Sequence, residues 1–307
     1  MSDNSSVFEL TVLSGKGGTG KTSVTASLAA LASNPILADC DVDASNLELV
    51  LDPQLQRRED FTGGMQARID PGLCAACGKC KTLCRFDAIL FDGPGNARTS
   101  RTYRVDPPSC EGCGVCATYC PRDAISLGPV KGGEWFISDT RFGPLVHARL
   151  QPGLGNSGKL TTLVREQARK IAQKTGHKFI LVDGPPGVGC PVIASLTGTT
   201  RILAVTEPTP SGAHDLERVL ELAGHFQIPA WVCVNKYDLN AGVTAQIEQR
   251  AAELGATIAG RIPYDKSVTE AQRQGRPVVE LEASPAGQAI VQLWKTLLPH
   301  LPEQSSI

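Results

Sequence analysis

The 307-residue sequence is poor in aromatic residues and has no excess of charge of either sign. Phe, Tyr and Trp together make up 5% of the chain, and 30 basic residues stand against 31 acidic ones, for a net charge of −1. A protein that attracts nucleic acid needs an excess of Lys and Arg, and one that stacks single-stranded bases needs aromatic side chains. We therefore expect no nucleic-acid partner.

Long hydrophobic runs are also missing. No apolar run approaches the ~20 residues that a helix needs to cross a bilayer, so we expect no stable membrane insertion. Met1–Ser6 is polar and includes an aspartate, unlike the basic start and apolar core of a signal peptide. These absences predict a cytoplasmic protein, and because that compartment is reducing, the eleven cysteines are not expected to form disulfides.

The cysteines are concentrated in one part of the chain. Eight of the eleven lie between Cys74 and Cys120, whereas Cys40, Cys190 and Cys233 stand alone. At about 150 residues per domain, the length suggests two domains, or one large domain with an insert. Because the composition changes in the polar run 56–60 and again near residues 128–129, we predict an α/β domain formed by residues 1–60 and 130–307. A cysteine-rich insert, residues 61–129, interrupts it.

The flanking segments alternate between strand-like and helix-like patterns. Apolar residues recur with helical spacing after residue 22 and again near residue 216. Strands that alternate with helices imply a parallel sheet covered on both faces, with ligands bound beyond the carboxyl ends of the strands. The strand-like runs are 7–13, 36–39, 178–182, 200–206, 229–234 and 257–262.

A phosphate-binding loop follows the first predicted strand. The sequence matches the P-loop pattern G-x-x-x-x-G-K-[ST] and stands between a strand and a helix, as that motif requires. Backbone N–H groups of such a loop converge on a phosphate, Lys21 reaches the β- and γ-phosphates, and Thr22 binds Mg²⁺. The nucleotide-binding residues predicted here are Gly15, Lys16, Gly17, Gly18, Thr19, Gly20, Lys21 and Thr22.

The second lysine of the loop, Lys16, carries a family resemblance. The run from Lys16 to Thr22 resembles the deviant Walker A motif of the MinD/ParA/Mrp class of ATPases, to which nitrogenase iron protein is also similar. The resemblance implies ATP and Mg²⁺ as ligands, ATP hydrolysis, and catalytic roles for Lys16 and Lys21. It also implies an ATP-dependent dimer, either a homodimer or a heterodimer with a related ATPase, in which Lys16 reaches the partner's phosphates.

Two acidic segments agree with this resemblance in order and spacing. Asp39 and Asp41 end the second predicted strand, where that class has its first switch, and the resemblance implies that Asp41 positions the attacking water while Asp39 holds an Mg²⁺-bound water. Asp183 ends the apolar run 179–182, which looks like Walker B, so its carboxylate is expected beside Mg²⁺. A charged turn at the end of a strand is the alternative for the first segment.

The segment from Asn235 to Asp238 follows another predicted strand and is similar to the base-recognition segment of the same class. We expect the amide of Asn235 to contact adenine. The spacing N-K-x-D also occurs in proteins that bind guanine, where the aspartate reads the base, so Asp238 leaves guanine open as an alternative.

The clustered cysteines form two copies of the pattern C-x2-C-x2-C-x3-C, the spacing of bacterial ferredoxins that hold two 4Fe–4S clusters. In that spacing the fourth cysteine of each copy binds the other cluster. Zinc is the competing interpretation, because C-x2-C pairs also build tetrahedral zinc sites. The ferredoxin resemblance implies a first set, Cys74, Cys77, Cys80 and Cys120, and a second set, Cys84, Cys110, Cys113 and Cys116.

The sequence thus joins a dimerising Mg²⁺-dependent ATPase to a small α+β electron-transfer module. The leading hypothesis is an ATP-hydrolysing iron–sulfur protein that couples its nucleotide state to electron transfer with a redox or iron–sulfur protein partner. An iron–sulfur assembly or carrier ATPase is one alternative, although the C-x-x-C near the C-terminus that is typical of carriers is missing. A positioning ATPase with a ferredoxin-like docking or sensing module is another.

Overall fold

The chain divides into two compact units in the computed structural model, which describes residues 7–151 and 156–302. The α/β unit contains the chain up to Glu59, Trp135–Arg149 and the chain from Ser157 onward. The cysteine unit contains Asp60–Glu134 and a short stretch that begins at Leu150.

Eleven strands occur in the described residues, nine of them in one sheet and two in a separate pair. The order in the large sheet is β11-β10-β9-β1-β8-β2-β7-β6-β3, and all neighbours from β11 to β7 are parallel. The strands are β1 (Phe8–Ser14), β2 (Ile36–Asp39), β3 (Gln54–Ile69), β4 (Ile89–Gly93), β5 (Thr102–Val105), β6 (Ile125–Thr140), β7 (Gly143–Leu150), β8 (Phe179–Pro186), β9 (Arg201–Thr206), β10 (Ala230–Asn235) and β11 (Thr257–Ile262).

Several helices of the α/β unit begin at a side-chain cap. Thr209, Asn240 and Ser284 each accept a hydrogen bond from the backbone N–H three residues later, which satisfies a donor that the first helical turn leaves free. The α-helices are α1 (Lys21–Leu31), α2 (Glu48–Leu51), α3 (Lys79–Leu83), α4 (Val115–Thr118), α5 (Ser157–Thr175), α6 (Cys190–Leu196), α7 (Pro210–His225), α8 (Ala241–Glu253), α9 (Ser267–Arg273) and α10 (Pro285–Leu297).

The central strands of the α/β unit are buried on both faces. Leu10 and Val12 of β1 belong to an apolar cluster that also contains residues of α1 and α10, whereas Leu13 belongs to a second cluster with residues of α6, α7 and α8. Neighbouring side chains of a strand point to opposite faces, so this division places helices on both sides of the sheet. The expected parallel α/β architecture is confirmed.

The cysteine unit repeats its backbone at an interval of 36 residues. Gly78 and Gly114, which precede α3 and α4, have φ values of 78° and 79°, and Asp87 and Asp123 have φ values of 50° and 49°. The two halves also exchange equivalent hydrogen bonds: the N–H of Asp70 donates to the carbonyl of Ala124, and the N–H of Asp106 donates to that of Ala88, both at 2.8 Å. An internal pseudo-twofold axis therefore relates the halves.

The chain passes between the units inside two 16-residue strands, β3 and β6, and again after Arg149 at the end of β7. We placed the boundaries after residues 60 and 129, and the compact units divide at 59/60 and 134/135. Gly128 and Pro129, which we took as the return to the α/β part, lie inside β6. A Gly-Pro pair signals a turn, but the fixed φ of proline is also compatible with extended backbone, which is the conformation found here.

Among the described residues, no helix has both the length and the apolar character required to cross a membrane. Met1–Ser6, on which the expectation of no signal peptide depends, lies outside those residues.

Candidate nucleotide site and cysteine-lined cavities

The predicted phosphate-binding loop connects β1 to α1. Gly18 and Gly20 have φ values of 82° and 92°, in the left-handed region that favours glycine. A Cβ atom on Gly20 would come within 2.3 Å of the side-chain amide nitrogen of Asn235, so this position also lacks room for a side chain. The hydroxyl of Thr19 is buried and has no hydrogen-bond partner, which leaves a donor and acceptor free for a ligand.

Lys21, Thr22 and Asp183 are brought together at the carboxyl ends of β1 and β8. The Lys21 ammonium lies 2.9 Å from Oδ1 of Asp183, and the Thr22 hydroxyl donates to Oδ2 at 2.7 Å. Thr25, one turn further along α1, also donates to Oδ1 at 2.9 Å. The Asp183 carboxylate is thus buried with its charge paired and its oxygens hydrogen-bonded.

Two more predicted carboxylates lie at the end of β2. Asp39 is fully buried and accepts hydrogen bonds from the hydroxyl of Ser45 at 2.7 Å and the N–H of Leu47 at 3.2 Å. Asp41 lies 3.8 Å from the Lys21 ammonium. Burial and then the nearby Asp183 raise the pKa of Asp39 to about 7, and burial raises the pKa of Asp41 to about 6 despite the opposing effect of Lys21.

The three nearby carboxylates keep Lys21 protonated. Burial alone would lower the pKa of Lys21, but Asp183, Asp41 and Asp39 outweigh it and raise that pKa. One protonated lysine therefore serves a cluster of three carboxylates. This excess of negative charge suits a divalent cation bound together with phosphates, as the P-loop pattern predicts.

The second loop lysine points elsewhere. The Lys16 ammonium forms an ion pair with Glu207 at 2.7 Å and donates to the hydroxyls of Thr209 at 3.3 Å and Ser211 at 3.0 Å. Lys236 contacts the same glutamate at 3.1 Å and donates to the carbonyl of Gly18 at 3.2 Å. Glu207 thus connects the loop to the segment that follows β9 within a single chain.

The two proposed base-recognition residues, Asn235 and Asp238, bind different parts of the chain. The Asn235 amide donates to the carbonyl of Thr19 at 2.7 Å, which places it against the phosphate loop. One oxygen of Asp238 accepts the N–H of Tyr264 at 2.7 Å. Adenine recognition by Asn235 stays a prediction, with guanine as the alternative.

Two residues of this site were missed by the sequence analysis, and each has a signal that would have found it. Thr25 lies four residues after Lys21, so a helix places both on one face. Glu207 follows the last residue of β9, and the carboxyl ends of parallel strands are where ligand-contacting groups collect.

The eight clustered cysteines line two cavities in the cysteine unit. One cavity is lined by the first set and the other by the second set. All eight thiols are free. In the first set, the N–H groups of Ala76 and Ala124 point at the sulfurs of Cys74 and Cys120, at 3.5 and 3.3 Å.

Within residues 7–151 and 156–302, no three His, Cys, Asp or Glu side chains form a group that could hold a metal ion. The iron–sulfur clusters, like the zinc that competes with them, therefore stay predictions.

Comparisons with known proteins agree with the architecture of the α/β unit. Residues 10–278 match the family model described as the CobQ/CobB/MinD/ParA nucleotide binding domain. An uncharacterized protein of Methanocaldococcus jannaschii is 34% identical over 238 residues, which is 76% of this chain and 80% of that protein. The septum site-determining protein MinD of Bacillus subtilis is 25% identical over 158 residues, 49% of this chain and 58% of that protein.

A solved structure is similar over almost the whole chain. The septum site-determining protein MinD of Pyrococcus horikoshii, complexed with Mg-ADP, superposes with a TM-score of 0.58 at 18% identity and covers 98% of this chain and 99% of that chain. At this identity the likeness shows the fold.

Proposed function

The chain belongs to the CobQ/CobB/MinD/ParA nucleotide-binding domain family, and on that premise we propose that it is an ATP-hydrolysing iron–sulfur protein that couples nucleotide-dependent dimerisation to electron transfer. The observation that supports the second half of the proposal is the grouping of cysteines: each of two cavities is lined by the four that the two-cluster ferredoxin spacing assigns to one cluster.

MgATP enters a site whose groups are at present bound to one another. For Lys21 to reach the β- and γ-phosphates, its ammonium must leave Asp183, which lies 2.9 Å away. Asp183 and the Thr22 hydroxyl are the groups that would hold Mg²⁺, which would supply the counter-charge that Asp183 loses with the lysine. Asp41, 15% exposed at its side chain, is the carboxylate left to orient the attacking water.

Dimerisation involves the other lysine. Lys16 is 30% exposed at its side chain and paired with Glu207 of its own chain. When Lys16 leaves, Glu207 keeps a counter-charge, because Lys236 lies 3.1 Å from it. The proposal is that Lys16 leaves Glu207 when two chains meet over their nucleotides and then contacts the phosphates bound by the partner.

The residues of the cysteine unit fit the proposed clusters. Four cysteines surround each cavity, their thiols are free, and two backbone N–H groups point at sulfurs, as thiolates require. A 4Fe–4S cluster is held by four thiolates on four different irons, so these sulfurs need not converge on a single ion. When bound, such clusters supply one-electron redox chemistry.

A continuous stretch of chain leads from the nucleotide site toward the cysteine unit. Asp39 accepts the N–H of Leu47, α2 follows at once, and β3 then continues into the cysteine unit. Because a switch that reorganises around a γ-phosphate changes such contacts, ATP binding is proposed to alter the start of β3.

The test is anaerobic purification followed by metal, sulfide and redox analysis. We expect about eight iron and eight acid-labile sulfide per chain, ATP hydrolysis, and cluster potentials that differ between nucleotide-free, ADP-bound and ATP-analogue-bound protein. Stoichiometric zinc without sulfide would refute the proposal that the cysteines bind iron–sulfur clusters. Potentials unchanged within ~15 mV, a small fraction of the 59 mV per tenfold for one electron, together with equal nucleotide affinity in both redox states, would exclude coupling within the isolated protein.

A positioning ATPase is the second candidate, favoured by the similarity to MinD proteins. On that view the cysteine unit docks or senses a partner, and ATP turnover continues unchanged when the clusters are reduced. An ATPase assay of oxidised and reduced protein separates the two, since coupling requires the rates or the nucleotide affinities to differ.

A further inference from the structure

The two cysteine-lined cavities have equivalent backbones but different surroundings. Because the halves repeat at 36 residues, each residue around the first cavity has an equivalent around the second. Any difference between two clusters held there must come from the side chains at equivalent positions. The pairs that differ in charge or polarity, first cavity before second, are Ala75 and Glu111, Lys79 and Val115, Tyr103 and Ala67, Pro121 and Arg85, and Arg122 and Phe86.

Charge differs in one direction at three of these pairs and in the opposite direction at the pair Pro121 and Arg85. Arg122 lines the first cavity, where the second has Phe86. Glu111 lines the second cavity, where the first has Ala75. In addition, the Lys79 ammonium lies 5.6 Å from the ring centre of Tyr119, the residue before Cys120 of the first set.

Polarity differs in the same direction. Tyr103 lines the first cavity, and its hydroxyl lies against Gly78, where a Cβ atom would come within 3.1 Å of it. The equivalent Ala67 of the second cavity brings no polar group. The rim of the second cavity also holds Leu83, Phe86 and Val115, which are 37%, 44% and 37% exposed.

Each difference acts on the charge of a cluster. Reduction adds one negative charge, which a nearby cation or hydroxyl donor stabilises and a nearby carboxylate destabilises. Apolar surroundings also disfavour the more highly charged state. Arg85, which follows Cys84 of the second set and has Pro121 as its equivalent, acts in the opposite direction. The first cavity still has two cations and a hydroxyl where the second has one cation and one carboxylate, so the balance favours reduction at the first cavity.

We infer that the two clusters are not equivalent and that the cluster held by Cys74, Cys77, Cys80 and Cys120 accepts an electron first. This inference rests on the proposed function, since it concerns clusters proposed there. The cluster of the second set then has the lower potential, and a single electron on the protein resides at the first set.

The experiment is a potentiometric titration of the anaerobic full-length protein, followed by electron paramagnetic resonance. The wild type should show two one-electron steps that differ at least tenfold in reduction equilibrium, which is ~59 mV. Because the responsible charges are exposed, higher salt should narrow the gap.

Exchanging equivalent residues between the halves assigns the two steps. Glu111→Ala should make the lower-potential step roughly three- to tenfold more favourable, and Arg122→Phe should make the higher-potential step less favourable by a similar factor. The matched variants Ala75→Glu and Phe86→Arg should shift the higher step down and the lower step up. All four side chains are exposed, so the changes leave folding intact, which full iron content verifies.

The outcomes separate this inference from the proposed function. Protein without iron and sulfide overturns both. Protein with two clusters whose potentials coincide within threefold, or in which Glu111→Ala moves the higher step and Arg122→Phe the lower, keeps the iron–sulfur protein and overturns the assignment. Separate steps that respond to the residues as stated support it.

Discussion

The α/β unit and the cysteine unit have different kinds of interior. The first is built on apolar clusters on both faces of a sheet, and in its candidate site Lys21 and Thr22 both bind the buried Asp183. The described residues of the second bury few hydrophobic side chains, most of them small: Phe61, Ala67, Cys74, Ala88, Ile89, Ala124 and Ile125. A unit of this size gains only ~3–5 kcal/mol from one apolar core, so it needs another source of stability.

The eight clustered cysteines of this unit line two cavities, four to each. If clusters fill these cavities, then folding and metal binding are one process in this unit, as in small metal-dependent domains. The α/β unit, in contrast, would bind its nucleotide after it has folded. Under the proposed function, one chain contains a site that forms without its ligand and a site that forms only with it.

Removal of iron should have the largest effect, because it tests whether the cysteine unit needs its clusters in order to fold. Chelation under reducing conditions should unfold the cysteine unit and leave the α/β unit folded. Under the proposed function, only the cysteine unit needs its ligand in order to fold. Hydrogen exchange should show amides in residues 70–124 losing protection by more than a hundredfold, while β1 and β8–β10 keep theirs. Cys190→Ser, outside the two sets, should behave as the wild type. Full protection of residues 70–124 without iron would refute the dependence.

Lys21→Ala should have the next largest effect. It acts on ATP binding by the α/β unit, not on the folding of the cysteine unit. It removes the proposed phosphate contact and leaves Asp183 buried without its counter-charge, so ATP affinity should fall at least a hundredfold.

The control variant is Lys16→Ala, which should keep most ATP binding but lose turnover, because the proposed target of Lys16 is the partner's nucleotide. Asp41→Ala should instead accumulate an ATP-bound dimer. Equilibrium binding and ATPase assays check all three. Wild-type turnover in Lys16→Ala would show that the sandwich dimer is wrong.

Thr25→Val measures how far the α/β site is assembled without a ligand. The change keeps the side-chain shape but removes the hydroxyl that bonds both Asp183 and the Lys21 carbonyl, and it should lower the free energy of unfolding by ~2 kcal/mol. The matched control is Thr162→Val, whose exposed hydroxyl bonds only the carbonyl of Gly158 and should cost under ~0.5 kcal/mol. Equal losses in denaturant titrations would show that Asp183 does not need Thr25.

Asp265→Asn is the smallest of these tests and adds a pH dependence. Burial alone would raise the pKa of Asp265, but hydrogen bonds from Ser267, Ser284 and Ala286 lower it to about 2. Since its pKa in the unfolded chain is near 4, its stabilisation is present above that pH and is lost as the pH falls through about 2. The variant should unfold ~1 kcal/mol more easily at pH 7 and equally easily near pH 2. A difference that persists at pH 2 would contradict this origin.

The sequence predicts the α/β unit well because its signals are local. Apolar runs and the P-loop spacing indicate β1, β2 and β8–β11, and all are present near the predicted positions. The long strands β3 and β6 escape prediction because runs such as Gln54–Asp60 are polar and mostly exposed, so they lack the burial pattern that signals a strand.

The candidate site divides in the same way. Spacing alone identifies Lys21, Thr22 and the two sets of cysteines, since a motif fixes which residues can converge. It does not identify Glu207 as the partner of Lys16, because that contact joins residues 191 positions apart and depends on the order of strands in the sheet.

The position of β1 in the sheet has a consequence for how the chain is made. Its neighbours are β8 and β9, and Phe8 lies opposite Phe179. A ribosome that adds ~5–20 residues per second needs roughly 10–30 s to supply that partner. During this time Leu10, Val12 and Leu13, fully buried in the finished fold, have no sheet to join. The cysteine segment between Cys74 and Cys120 is synthesised within that interval, so β1 is the strand that a chaperone would have to protect for the longest time.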